Sequence, residues 1–166
     1  MNQRRAHIVF ACIVVACIGI GSCGFIFPSH HRTEDYTPVF AAADACDLNA
    51  VRQVVDYDPR LLKATEWDNA TLLHDAVGHN CKELVAYLLT KGVDVNAVMD
   101  DRVTALHLAA QRGNIPIADL LLQHGANINA IDAKGWTPLD RAEKWKHEDM
   151  VVFLRKGGGH EGGPDG

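Results

Sequence analysis

Thr71, Thr104 and Thr137 stand 33 residues apart, and Thr37 precedes the first of them by 34. A unit this short cannot bury its own apolar face, so a chain with such a period must stack its units into a continuous core. The best-formed block is residues 104–130, TALHLAAQRGNIPIADLLLQHGANINA. Thr104, Ala105, Leu106 and His107 open a short amphipathic helix, and Gly113 with Asn114 breaks it. A second helix is predicted from Pro116 to His124, with Gly125 as its stop. The same plan recurs as TLLHDAV, LVAYLL and KGVDVNA from residue 71, and as TPLDRAE, MVVFLR and KGG from residue 137.

This pattern closely resembles the ankyrin repeat. TALHLAA and QHGANINA are near the family consensus, while TLLHDAV and GWTPLDRA are looser copies. The resemblance covers residues 37–158 and implies an all-α solenoid of about four helix-turn-helix units, 37–65, 66–98, 99–131 and 132–158, joined by β-hairpin-like loops. It implies a scaffold for protein binding, with the partner chosen at variable positions. It also implies structural roles for His74 and His107, whose rings bond backbone and threonine hydroxyls and join one unit to the next, and for Gly92 and Gly125 at helix ends. Asn69 takes the place of the usual turn glycine, which accounts for it without the glycosylation sequon it forms with Thr71. Asn80 replaces the glycine between paired helices, a place asparagine tolerates. Unit one carries Phe40 where later units have His, and its DYDPRLLKA segment reads as a loop before Leu61 and Leu62 pack back. Unit four departs at Asp140, Glu143 and Lys146, as a water-facing end unit can. Residues 159–166 read as a flexible, glycine-rich tail.

Residues 1–36 differ from the rest. Arg4 and Arg5 precede an uncharged run from Ile8 to Phe27, whose densest apolar part is the length of a signal-peptide core. Ile20, Gly21, Ser22 and Cys23 resemble the bacterial lipobox, with Ile20 where Leu is commonest. That resemblance implies residues 1–22 as a signal, cleavage before Cys23, and lipid attachment at the Cys23 sulfur. An uncleaved membrane anchor and a conventional cleaved signal are the competing readings. All three export the acidic repeats and leave the arginines on the cytoplasmic side. Gly24 after Cys23 favours the outer membrane in a cell with two. Residues 23–36 read as a tether, in which His30 and His31 are solvated rather than metal ligands.

The chain has a formal net charge of -5. Beyond Arg4 and Arg5, 14 Lys and Arg face 21 Asp and Glu, a poor footing for a phosphate backbone, so no nucleic acid is expected. No paired-carboxylate, Ser-His-Asp or H-x-x-x-H spacing emerges, so no catalytic residue, metal or cofactor is expected. Cys46 and Cys81 fall between the paired helices of adjacent units. A disulfide is conceivable if the repeats are exported, and two separate, partly buried thiols are the favoured reading.

In the ankyrin family partners usually meet the hairpin tips and first helices. Carried onto this chain, that surface comprises Trp67, Asp68 and Ala70 with Gly78 and His79; Asp100, Asp101 and Val103 with Gln111 and Arg112; and Ala133, Lys134 and Trp136 with Lys144 and Trp145. Trp67, at a tip, is the leading anchor. Trp136 reads as packing at a hairpin base and Trp145 as a possible cap on the last unit. The expected function is that of an exported, membrane-tethered, monomeric module for protein–protein interaction in the cell envelope. A structural or protective envelope factor and a secreted effector are the alternatives, with an enzyme disfavoured.

Overall fold

The structure is a computed structural model, described here over residues 37–163. The predicted signal or anchor, Cys23 and the tether lie outside the described residues, as do residues 164–166. Eight α-helices follow in pairs: α1 (Thr37–Asp44) and α2 (Leu48–Tyr57), α3 (Leu72–Gly78) and α4 (Lys82–Thr90), α5 (Ala105–Arg112) and α6 (Ile115–Gln123), α7 (Pro138–Lys144) and α8 (Glu148–Lys156). α1 packs on α3, α3 on α5 and α5 on α7, and each of these four helices pairs with the helix that follows it. Between units the chain swings out in hairpins, with antiparallel bridges at Thr65–Thr71 and Val98–Thr104. The expected all-helical stack of four units is present.

The core is one apolar seam through the helix pairs. All seven residues expected to form the unit-two core, Leu72, Leu73, Ala76, Leu84, Val85, Leu88 and Leu89, are buried. Leu106, Ala109, Ile117 and Leu121 continue it in unit three, while Leu108, Leu120 and Leu122 pack at its margin. Alanine at 76, 109 and 142 is fully buried, leaving room for helices to approach. Phe40 is buried among these groups, so unit one substitutes packing for the hydrogen bonds made by histidine in the next two units.

Those hydrogen bonds form the polar frame of the stack. Thr104 donates its amide to His107 Nδ1 at 3.2 Å, and its hydroxyl lies 2.8 Å from the same nitrogen. With Nδ1 accepting, Nε2 carries the proton and donates it to the Trp136 carbonyl of the next unit at 3.0 Å. His74 repeats the first half, with the Thr71 amide and hydroxyl at 3.2 and 2.9 Å from its Nδ1. Its Nε2 is buried beside the Val103 and Ala97 backbone but makes no bond as well formed as the one His107 makes to Trp136. Burial holds both imidazoles below the usual histidine range, so both rings stay neutral.

The last unit ends this ladder differently. Asp140 stands in the histidine position and accepts from the Thr137 amide at 2.7 Å and from the Gly162 amide at 2.8 Å. The Thr137 hydroxyl lies 2.9 Å from both the Asp140 carboxylate and the His160 carbonyl. The described part of the tail is therefore held against α7, contrary to the expected fraying from residue 159. A Cβ on Gly162 would come within 2.6 Å of the Gly135 carbonyl, so the close approach needs glycine. Side chains in the outer loops extend the seam: Asn96 donates to the Gly125 carbonyl at 3.1 Å, and Asn129 donates to the Gly158 carbonyl at 3.3 Å.

Two further expectations are corrected in unit one. The segment after α2 is a 3₁₀ helix, Pro59–Lys63, rather than a loop, because Asp58 accepts the Arg60 amide at its start and Pro59 presets the first turn. Cys46 and Cys81 are joined in a disulfide, with Cα atoms 5.3 Å apart, rather than standing as two thiols. The bridge spans 35 residues, a separation for which loop-closure entropy predicts roughly 4 kcal/mol of stabilisation.

Replacing His107 with alanine should cost about 2–3 kcal/mol in urea unfolding, because it strands the Thr104 amide and the Trp136 carbonyl together. His74→Ala should cost about 1 kcal/mol less, since its inter-unit bond is the weaker one. Equal losses would show that the bond to the next unit is not what His107 contributes.

Candidate partner-binding surface

The hairpin tips are built by one rule repeated three times. The amides of Glu66, Met99 and Asp132 donate to the carbonyls of Ala70, Val103 and Trp136, and the left-handed residue of each turn is Asn69, Arg102 or Gly135. Asn69 thus performs the turn role expected of it. Successive tips are tied edge to edge: the Asp100 amide donates to the Asp68 carbonyl at 2.9 Å, and the Ala133 amide donates to the Asp101 carbonyl at 2.8 Å. The tips therefore form one continuous rim. Its turn closure sends Ala70 and Val103 inward, so both are buried and leave the set of exposed tip positions.

Trp67 is the most exposed large apolar side chain described, at 90 % of its free area, and Trp145 at the end of α7 is 51 % exposed. Trp136 is half-buried between two lysines, with Lys144 Nζ 4.0 Å and Lys134 Nζ 5.7 Å from its ring centre. Cation–π attraction pins that ring, so its surface role passes to the lysines that cover it. Asp68 and Asp101 each accept an amide of their own turn while keeping exposed edges. Arg112 is exposed, whereas the Gln111 side chain is engaged by Arg141 at 2.8 Å. His79 is exposed, with Nδ1 3.4 Å from Asp44. The surface residues thus lie along one rim and the first helices, but Gln111 and Trp136 are already occupied within the fold.

Charge along this surface changes sign. One pair of equivalent positions carries Glu66 and Asp75 in unit two, Met99 and Leu108 in unit three, and Asp132 and Arg141 in unit four. The last pair is an ion pair at 2.7 Å with Asp132 fully buried. Burial pushes the Asp132 carboxyl up, but hydrogen bonds from Arg141 and the amides of Trp136 and Lys134 outweigh that and hold it below the usual range. In unit two both partners are acids. Burial, then the charges of Glu66, Asp44 and Asp68, push Asp75 up to about 7, and one of its carboxylate oxygens is buried without a hydrogen bond. Glu66 is raised by burial and by Asp44 and Asp68. Lys134, Lys144 and Arg112 give the other end positive charge. Sequence reading selected Asp68 and His79 but missed Asp75, because only the fold brings Asp44, Glu66 and Asp68 around it.

Among the described residues, no group of three His, Cys, Asp or Glu is arranged to hold a metal, and no helix is long and apolar enough to cross a membrane.

The native state binds the Asp75 proton more tightly than the unfolded chain. Its favourable contribution is complete below pH 3.8 and is lost as pH rises through about 7. Asp75→Asn should therefore be more stable than the parent at pH 8 by about 1–2 kcal/mol, a figure kept small by the carboxyl's contact with water. The two unfolding curves should converge as pH falls towards 4. A parallel pH dependence in both proteins would remove Asp75 from this role.

Comparison with known proteins agrees with the architecture. A family model described as ankyrin repeats, in three copies, matches residues 13–99 and again 96–161. Potassium channel AKT1 of Oryza sativa subsp. indica is 42% identical over 80 residues, which are 48% of this chain and 9% of the channel. Probable E3 ubiquitin-protein ligase XBOS31 of Oryza sativa subsp. japonica is 30% identical over 135 residues, 80% of this chain and 30% of the ligase. Ankyrin repeat protein nuc-2 of Neurospora crassa is 31% identical over 130 residues, 76% of this chain and 12% of that protein. The chain spans less than a third of each of these relatives, and their names describe different activities, so the repeats are what they share with it. With paired helices, bridged tips and the threonine–histidine frame in register with that match, the chain belongs to the ankyrin-repeat family, whose repeats are typically non-catalytic and mediate protein–protein interaction.

Proposed function

We propose that this chain is an exported, membrane-tethered ankyrin module that holds a protein partner beside an envelope membrane. The observation that carries the reading is Trp67, an indole 90 % exposed on a rim whose backbone is tied to the next tip. Exposing an indole to water is unfavourable, and presenting it on a pre-ordered rim lowers the entropy lost on binding. Asp68, Asp101 and His79 surround the acidic half of the surface, and Arg112, Lys134, Lys144 and Trp145 furnish the other. A partner with basic groups facing unit two and acidic groups facing unit four matches this division.

Export is supported by the Cys46–Cys81 disulfide, since such bonds persist in oxidising compartments. It agrees with the hydrophobic run before Cys23 and with the lipobox-like Ile20, Gly21, Ser22 and Cys23. In this reading Cys23 carries the lipid, the acidic repeats stand outside the cytoplasm as a monomer, and the membrane is the outer one in a cell with two.

The intact mass of the chain from its native membrane fraction should correspond to a product beginning at Cys23 with added lipid, absent from a Cys23→Ser chain. An unprocessed chain would replace lipidation by an anchor. Separately, Trp67→Ala should weaken capture of the cross-linked partner by about 2 kcal/mol while leaving the unfolding midpoint unchanged. Undiminished capture would remove Trp67 from the interface.

A further inference from the structure

The turn between paired helices places one left-handed residue of each unit beside the helix-capping residue of the next. At the boundary between units two and three these are Asn80 (φ 64) and Asn114, and the Asn114 side-chain amide donates to the Asn80 side-chain oxygen. Between units three and four they are Gly113 (φ 66) and His147. His147 Nε2 donates to the Gln111 carbonyl at 2.9 Å, and its ring fills the space a Cβ on Gly113 would need. Between units one and two they are Cys46 (φ 54) and Cys81, and the rung is covalent.

The two sulfurs are not equivalent. Cys46 is exposed, whereas Cys81 retains 4% of its free area. Cys81 also caps the nine-residue helix α4. In α2 and α6 the residue at this place, Asp47 or Asn114, accepts the amide three residues on, from Ala50 or Ile117, at 3.0 Å. The corresponding amide in α4 is that of Leu84, but Cys81 makes no such bond, and its sulfur lies 3.6 Å from the Ala43 carbonyl of unit one. Exposure makes Cys46 the accessible sulfur, so attack there makes Cys81 the leaving group.

We propose that Cys46–Cys81 is a thiol–disulfide exchange site at which an external dithiol opens and re-forms the clamp between the first and second repeats. A thiolate of the dithiol attacks Cys46 Sγ, the Cys46–Cys81 bond breaks, and its electron pair leaves with Cys81 as a thiolate. The second thiol of the reagent loses its proton to solvent and attacks the mixed disulfide, releasing Cys46 as a thiolate. The protein disulfide gains two electrons and the dithiol becomes a disulfide; the reverse sequence closes the clamp. Opening removes the covalent link and leaves the first repeat held by the packing of Val39, Phe40 and Ala43, by the Lys91–Asp56 ion pair at 3.1 Å and by His79 Nδ1 at 3.4 Å from Asp44. The proposal stands independently of the partner surface.

Reduced glutathione is the probe. The oxidised full-length chain is exposed to it briefly, quenched with acid and mapped by mass spectrometry. The mixed disulfide should fall on Cys46 over Cys81 by about tenfold. Amide exchange should then rise across residues 37–63 on full reduction and stay unchanged across residues 105–156. A second measurement uses single-thiol chains in which Cys12, Cys17 and Cys23 are also replaced by Ser: on that background Cys81→Ser should react with an aromatic disulfide reagent about tenfold faster than Cys46→Ser. The double variant Cys46→Asn with Cys81→Asn, which copies the next rung, should keep residues 37–63 protected with or without reductant. Adducts shared equally or favouring Cys81, a chain purified without the bond under oxidising conditions, or unaltered exchange after reduction would each overturn the proposal.

Discussion

Stacked helices bring polar backbone ends close to an apolar seam, and every donor or acceptor left there must find a partner. The threonine–histidine pair meets this demand in units two and three. His107 is the complete case: one ring nitrogen closes the start of its own helix, and the other reaches the Trp136 carbonyl across the boundary. A buried, neutral imidazole can do both because its two nitrogens differ, one accepting and one donating. At the ends of the described stack the demand changes. Phe40 answers with packing, and Asp140 answers with a carboxylate that gathers the tail amide of Gly162.

Away from this pair, the boundaries are joined by rungs whose chemistry varies while their place does not. A disulfide, an asparagine pair and a histidine-to-carbonyl bond occupy equivalent turns. Hydrogen bonds from Asn96 and Asn129 add a second line of rungs in the outer loops. A linear stack is only as cohesive as each neighbouring interface, so one covalent rung at the first boundary acts where a single unit could otherwise detach.

The same register explains the electrostatics. Equivalent positions hold two acids in unit two, two apolar groups in unit three and a buried ion pair in unit four. Repetition of the backbone therefore does not repeat the field. It sets an acidic patch around Asp75 at one end and lysines around Trp136 at the other.

The period, the helix pairs, the turn residues and most of the core are legible in the amino-acid order, because a 33-residue repeat ties each apolar position to one helix face. Asn69, Asn80, Gly92 and Gly125 were legible for the same reason: each sits where the backbone needs a left-handed residue. Trp67 was legible as exposed because a tip has no neighbour to cover it. Local pattern could not decide whether Cys46 and Cys81 meet or whether Gln111 is free. Those outcomes depend on contacts between residues some 30 positions apart. Only tertiary stacking could bring Arg141 to Gln111, the two sulfurs within bonding reach and four carboxylates together, because distance in space, not spacing along the chain, governs hydrogen bonds, disulfides and charge.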